Sequence, residues 1–436
     1  MKRYEKQMTQ TLLDLLAVNS VQGESAEGAP FGAGTKEVLR RFLDLCAAFG
    51  LKTKDIDGYC GYAEIGKGEL LGIPFHLDTV PFGKDWSHSP LGEIAEEDGK
   101  KVIYGRGTED DKGPAVALLY ALKSLLDEGL TPKRRVRLIA GLNEESGWKC
   151  IERYLATEEI PALAFSPDAD FPVINCEKGV CHVALTLPLP EEVISIRGGE
   201  RVNMVADRAE LNVKTLSDAA FSKCLKGGIK VKMTGDGFLL SATGVSAHGS
   251  TPDKGENAIL KILYAVKSSG EFLADLFDAL HATDGSGLGI CLSDEKSGAL
   301  TMNVGKAETF GRKVTFSLDI RYPVTKTEDE LLKAIGSALP QATLEVKGRH
   351  LPLFVDPDSE LVTSLLAAYN EVTGEHASPI TIGGATYARA FPNAVAFGPV
   401  FPGEDSKIHQ KDECISVDGL VKCAEIYRRA LLKLAF

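Results

Sequence analysis

The stretch LLGIPFHLDTVPFG, at positions 70–83, begins as an unbroken apolar run and ends in a polar turn carrying proline and glycine. A run that short, bounded by turn residues, predicts a buried strand. YAEIG, a few residues earlier, predicts its neighbouring strand. His76 and Asp78 then fall at the strand's carboxyl end, which is where open α/β sheets gather their ligands. Further out, KEVLRRFLDLCAAF carries apolar residues at helical spacing, with Thr35 as its cap and Gly50 as its stop. GPAVALLYALKSLLDEG predicts another helix, RRVRLIAGLNEESG a strand running into a loop, and ALAFSPDADFP a strand followed by an acidic loop. Strands alternating with helices predict an α/β fold, a mostly parallel mixed sheet flanked by helices.

Beyond about residue 179 the pattern changes to alternating strands such as VCHVALTLPL, AELNVKT and KVTFSLDIRYP, with ENAILKILYAVKSS as a helix among them. From residue 359 the alternation of helix and strand returns in SELVTSLLAAYNEVTG, NAVAFGPV and VDGLVKCAEIYRRALLKLAF. The simplest organisation is an α/β domain in two parts, 1–182 and 359–436, interrupted by an inserted α+β domain at 183–358. Loops rich in glycine and proline at 20–35 and 400–412 are expected to border the functional site.

With 436 residues, 44% apolar and 25% charged, the chain is long enough for two or three globular domains. Its first residues, MKRYEKQMTQTLLDLLAV, interrupt their apolar positions with polar ones and lack a small-residue cleavage site, so they predict an amphipathic helix rather than a secretory leader. No window approaches the roughly 18 unbroken apolar residues that cross a bilayer, so no membrane partner is expected. Nine cysteines, an odd number with no CxxC pair, suit free thiols in a reducing compartment, and a cytoplasmic location is expected. The formal charge of -12 argues against nucleic acid, whose binding depends on lysine and arginine releasing counterions.

Acidic and histidine residues mark the strand ends. His76 and Asp78, two apart on a strand end, point to one face. In a metal site His76 is the ligand and Asp78 orients it through the other ring nitrogen; elsewhere HxD is an ordinary surface or core pair. GRGTEDDKGP, at 105–114, leads into a helix, so Asp110 either bridges two metals or caps that helix, a role that stabilises by about 0.5 to 2 kcal/mol. NEESG, at 143–147, offers two adjacent glutamates facing opposite ways: Glu145 as a ligand and Glu144 as the general base, or both as a solvated pair favoured by a helix start. SPDAD supplies Asp168, otherwise an aspartate of a turn, and GEDSKIHQKDE supplies His409, otherwise a solvated loop histidine. Two histidines and three carboxylates suffice for two ions sharing one aspartate with open positions for water. One site is a simpler account than five independent coincidences. Cys150 lies near the glutamates, but no adjacent histidine supports it as a nucleophile and no GxSxG elbow is present. His88, His182, His281, His350 and His376 lack comparable surroundings and are read as structural or solvated.

In this order, HLDTVPFG, YGRGTEDDKGP, NEESGWKCIERY, SPDADFPV and HQKDE resemble the dizinc exopeptidase family that includes the PepV dipeptidases, carnosinase, aminoacylase and succinyl-diaminopimelate desuccinylase. The resemblance spans nearly the whole chain. GWKCIERY, FSPDADFPVINCEKG, RVNMVADRAEL and GGATYARAFPN are most similar to the PepV branch. The resemblance implies a catalytic α/β domain with an inserted lid and two divalent ions, zinc first, with manganese or cobalt as alternatives. It implies that one ion takes His76 and Asp168, the other Glu145 and His409, and that Asp110 bridges them, with Glu144 as base and Asp78 orienting His76. GVSAHGSTPDKGENA matches the family's lid motif, which implies that His248 donates to the developing oxyanion. Asn203 and Arg321 match lid positions that hold the substrate's polar groups and carboxyl end, and Arg321 suits a carboxylate because a guanidinium grips it with two parallel bonds; a structural ion pair is its other reading. Gly383 and Gly384 are expected to offer backbone amides to that carboxylate. The implied activity is metal-dependent hydrolysis of dipeptides or other short peptides, with a small peptide as the partner and a monomer expected in preference to a dimer. The competing readings are an N-acyl amino acid deacylase using the same centre and a non-catalytic metal-binding scaffold.

Overall fold

The strand Leu70–His76 is buried at every position, as a strand covered on both faces of its sheet must be. The computed structural model describes residues Met1–Phe436 and places this strand between Arg135–Gly141 and Leu163–Ser166, parallel to both. Ala394–Ala396 adds a further parallel strand beside Leu163–Ser166. Cys60–Ile65 and Lys52–Ile56 extend the sheet antiparallel beyond Arg135–Gly141, and Ile174–Glu177 pairs antiparallel with Ala394–Ala396. Cys60–Ile65 is therefore not the neighbour of Leu70–His76 that their closeness in sequence predicts. The chain leaves Leu70–His76, passes through the helix Lys112–Asp127 and returns in Arg135–Gly141 as a parallel crossover. That crossover strand takes the place beside Leu70–His76 and leaves its own outer edge for Cys60–Ile65.

Helix Lys112–Asp127 is apolar on nearly every side, with Leu118, Leu119, Leu122 and Leu125 at 0% exposure. Each such leucine contributes roughly 1.5–3 kcal/mol relative to an exposed one, so the helix start that follows Asp110 is firmly seated. Helix Val417–Leu434 packs against it and is capped by Ser416, whose hydroxyl accepts the Gly419 N–H. Helix Ala33–Ala48 begins earlier than its pattern predicts. Gly32, with φ of 103°, precedes it, and Thr35 sits inside the first turn with its hydroxyl donating to the Gly32 carbonyl.

The chain forms two compact units. One comprises Met1–Asn175, Val355–Ile380 and Thr386–Phe436; the other comprises Cys176–Phe354 and Thr381–Ala385. The second unit holds an eight-stranded antiparallel sheet in which Thr301–Phe310, Lys313–Tyr322 and Gly179–Pro188 lie side by side. Helices Asp218–Lys226, Ala258–Val266, Glu271–Leu280 and Glu328–Ala338 bury their apolar faces in one core with it. No helix of the chain is long and apolar enough to cross a membrane.

Candidate active site

Three neighbouring parallel strands of the first unit end at one edge of the sheet, each followed by a candidate residue. Leu70–His76 ends on His76 itself, fully buried. Arg135–Gly141 runs into the turn bearing Glu144 and Glu145, and Leu163–Ser166 runs into Asp168. Asp110 lies in the loop before Lys112–Asp127, and His409 sits in a carboxyl-terminal loop with φ of 63°. The structure gathers all of them. His76 Nε2 is 2.7 Å from Asp110 Oδ1 and 3.8 Å from Asp168 Oδ1. The other Asp110 oxygen is 2.9 Å from His409 Nε2, which in turn is 3.0 Å from Glu145 Oε1. Asp110 thus presents one carboxylate oxygen to each of two clusters.

The donors are imidazole nitrogen and carboxylate oxygen, a set suited to zinc, manganese or cobalt. His76, Asp110 and Glu145 lie close enough to hold one ion, and His76, Asp111 and Asp168 form a second such group. Asp111 carries a fully buried carboxylate whose Oδ1 has no hydrogen-bond partner, and an unpaired oxygen of that kind is costly without a cation. The residues present therefore fit a pair of divalent ions. Electrostatics agree. Burial pushes the carboxyls of Asp168 and Asp111 well above their usual value and that of Glu144 up to about 7, with nearby carboxylates adding to the effect against His76. Burial acts on Asp110 as well, yet His76 and His409 hold it far below the usual range. Hydrogen bonding to Asp110 and Glu145 raises His409 to about 10.

Asp78 meets His76 through its main chain rather than through the carboxylate expected to orient the ring. His76 Nδ1 faces the Asp78 main-chain oxygen at 3.0 Å and its carboxylate at 3.6 Å. The two carboxylate oxygens of Asp78 accept the N–H groups of Glu144 and Glu145 at 3.1 and 3.2 Å, so one buried aspartate ties the histidine strand to the glutamate turn.

Several residues with evident parts in the site went unassigned in the sequence. Trp148 donates its indole N–H to Glu144 Oε1 at 2.9 Å, from a left-handed backbone of φ 63°. Its ring meets that of Tyr387 edge-on at 5.4 Å, and the Tyr387 hydroxyl lies 2.7 Å from Cys150 Sγ. Burial pushes the Cys150 thiol up to about 11, which suits a packing residue and not a nucleophile. Glu413, fully buried, accepts from Arg106 Nη1 at 2.6 Å through one oxygen. Its other oxygen accepts the N–H groups of Gly107, Glu109 and Asp110. Glu413 thereby holds the loop that carries Asp110. Its only signal in the sequence was its place in HQKDE, four residues after His409.

Asn203, His248, Arg321, Gly383 and Gly384 all belong to the second unit. His248 pairs with Met204 as an isolated bridge, and the Gly249 N–H donates to the Asn203 carbonyl at 2.8 Å. His248 Nδ1 is 2.7 Å from the Ser250 hydroxyl. Burial, reinforced by Arg321, lowers the His248 pKa, which favours the neutral imidazole. Arg321 Nη1 donates to the Gly383 carbonyl at 2.6 Å, so Gly383 meets the guanidinium through its oxygen. A side chain on Gly383 would come within 2.9 Å of Ser250 Cβ, which is why this close approach needs glycine. Gly384 follows it in the same segment, where an added Cβ would stand 3.2 Å from Ile382.

Residues 72–433 match the family described as Peptidase family M20/M25/M40. The chain is 35% identical over 460 residues to "Putative dipeptidase YtjP" of Bacillus subtilis (strain 168), covering 99% of this chain and 98% of that protein. It is equally identical over 462 residues to "Putative dipeptidase SAUSA300_1697" of Staphylococcus aureus (strain USA300), with the same coverage. Among solved structures, the M20 family metallo-carboxypeptidase Sso-CP2 from Sulfolobus solfataricus shares the fold at a TM-score of 0.58 and 19% identity, covering 98% of this chain and 99% of that one. Human carnosine dipeptidase 1 shares it at 0.54 and 15% identity, covering 99% and 97%. The chain belongs to peptidase family M20/M25/M40 and is a metal-dependent hydrolase acting on peptide bonds.

Proposed function

We infer that this enzyme is a dipeptidase, cleaving dipeptides and other short peptides at a two-metal centre built on Asp110. The observation that carries the reading is that single carboxylate, whose two oxygens face separate histidine and carboxylate clusters. On this reading His76 and Asp168 would hold one ion, Glu145 and His409 would hold the other, and Asp110 would serve both. Zinc is the ion proposed, and manganese or cobalt would suit the same donors. The dipeptidase names of the two bacterial relatives support the substrate class. Free cysteines throughout support a cytoplasmic setting, and a monomer is proposed.

When bound, the ions supply Lewis acidity to the scissile carbonyl and lower the pKa of the attacking water. Glu144 takes the proton from that water as its oxygen bonds to the carbonyl carbon, then gives the proton to the amide nitrogen as the C–N bond breaks. Trp148 holds Glu144 Oε1 in one orientation for both transfers. His248 donates a hydrogen bond to the developing oxyanion. Arg321 and Asn203 receive the polar ends of the substrate, with Gly383 and Gly384 beside the carboxylate.

The test is a panel of unblocked dipeptides and of N-acetyl and N-succinyl amino acids, given to metal-free protein reconstituted with each ion in turn. Dipeptide turnover is expected to dominate, and preferential release of acyl groups would replace the reading with a deacylase. Glu144→Gln is expected to retain two ions per chain while losing about 10²–10⁴-fold in kcat. A metal-loaded variant with near-normal kcat would refute the role of Glu144.

A further inference from the structure

Arg321 is held by a buried carboxylate before any substrate arrives. Asp319, two residues earlier on the same strand and at 0% exposure, accepts Arg321 Nε at 2.7 Å on one oxygen and Nη2 at 2.8 Å on the other. The Gly383 carbonyl takes a further N–H from Nη1. A guanidinium has five N–H groups, so these three bonds leave two for a ligand and fix the plane in which they lie. Lone arginines on a surface sample many rotamers, and this one has a single orientation enforced from behind.

Asp319 is also the middle of a polar row across three adjacent strands. Asn303 and His182 are its register partners on either side. Asn303, 2% exposed, donates from Nδ2 to the carbonyls of Val202 and Met204, the residues that flank Asn203. His182 Nε2 stands 3.4 Å from Asp319 Oδ1. A side chain on Gly249, next to His248, would overlap Asp319 Oδ2. Although burial acts to raise the Asp319 carboxyl, His182 and Arg321 hold it below the usual range, so it is an anion at neutral pH. A charge in a sheet interior needs partners of this kind, and those partners lie under or beside the residues assigned to substrate.

We propose that Asp319 is a positioning residue that sets recognition of the substrate's free carboxyl end, by presenting the two uncommitted N–H groups of Arg321 in a fixed fork. The proposal rests on the reading of Arg321 as the carboxylate-binding residue and adds the group that aims it.

Steady-state kinetics on a metal-loaded enzyme, with an unblocked dipeptide and its C-terminal amide, test the two ideas separately. Asp319→Asn is expected to raise KM for the free dipeptide about tenfold, to leave kcat within about threefold, and to leave KM for the amide unchanged. A merely structural loss would move both substrates together. Arg321→Met is expected to abolish the preference for the free carboxylate. If Arg321→Met abolishes that preference and Asp319→Asn retains it, the positioning role is overturned while the reading of Arg321 stands. If Arg321→Met retains it, the reading of Arg321 falls and the proposal with it. Should Asp319→Asn fail to fold, the double variant D319N/R321M removes both buried charges together, a change that often costs little. The proposal expects its KM for the free dipeptide to equal that of Arg321→Met. A further rise of fivefold or more would show Asp319 acting independently of Arg321 and overturn it.

Discussion

Replacing Gly141 by alanine probes the support beneath Glu144 without touching any candidate ligand. Gly141 ends the strand Arg135–Gly141, three residues before Glu144. An alanine Cβ there would fall on the Tyr387 hydroxyl and within 2.9 and 3.1 Å of ring atoms Cε2 and Cζ. Tyr387 is fully buried, so its ring must shift to accommodate the methyl. Overpacking of this kind costs typically about 1–3 kcal/mol. The shift also separates the hydroxyl from Cys150 Sγ and tilts the ring against which Trp148 packs, and Trp148 holds Glu144 Oε1. The expected result is a lower melting temperature, full metal content and a kcat reduced about tenfold, since misplacing a catalytic group by an ångström or less is felt strongly in rate. The decisive assay is a double-mutant cycle with Tyr387→Phe, followed by thermal denaturation and steady-state kinetics. Losing the hydroxyl costs about 0.5–1.5 kcal/mol alone, but in the alanine background it removes the atom most severely overlapped. The double variant should therefore be at least as stable as Gly141→Ala alone. Simple additivity of the two losses would refute the steric argument, and an unchanged kcat in Gly141→Ala would refute the path through Trp148.

Two further predictions concern the metal centre. Glu413→Ala leaves Arg106 and the N–H groups of Gly107, Glu109 and Asp110 without their common acceptor. It is expected to destabilise the protein by about 3–5 kcal/mol and to weaken metal binding about 10–100-fold, read by denaturation and by competition with a chelator; metal affinity equal to wild type would remove Glu413 from the support of the Asp110 loop. Hydrogen bonds to Asp110 and Glu145 raise His409 to about 10, so near pH 7 the metal-free protein carries a proton there, which an ion taking His409 as a ligand would displace. Apparent affinity therefore rises with pH toward 10 and falls as pH drops. In the metal-free protein the same raised pKa stabilises the fold below the unfolded value of 6.5, and this contribution is lost as pH rises through 10. Calorimetry of zinc binding in two buffers of different ionisation enthalpy should count at least one proton released per chain at pH 7, and a count of zero would refute the assignment of His409.

Residues differ in how far their roles can be read before the fold is seen, and the difference is one of distance along the chain. Leu70–His76 is legible because a strand covered on both faces is apolar at every position, and its end is marked by the polar HLD that follows. Arg321 is legible as a carboxylate or ion-pair residue, and Asp319 shares its face because alternate residues of a strand do, but only the structure identifies Asp319 as its partner. What alternation cannot supply is register. Cys60–Ile65 looks like the partner of Leu70–His76 because nothing local reveals that Arg135–Gly141 comes between them. His182 looks like a solvated or structural histidine because the carboxylate it faces lies 137 residues away, reached only through the pairing of Gly179–Pro188 with Lys313–Tyr322. Cys150 invites a catalytic reading from its place near two glutamates, and its partner, Tyr387, is separated from it by 237 residues. Trp148 is the instructive intermediate case. It stands only four residues from Glu144, yet its contact depends on a left-handed backbone that tryptophan rarely adopts, so no propensity argument could place its indole there. Residue chemistry therefore announces which groups can bind metal or move protons. The carboxylates and aromatic rings that aim them are ordinary in composition and acquire their meaning only from strand pairing and chain reversal.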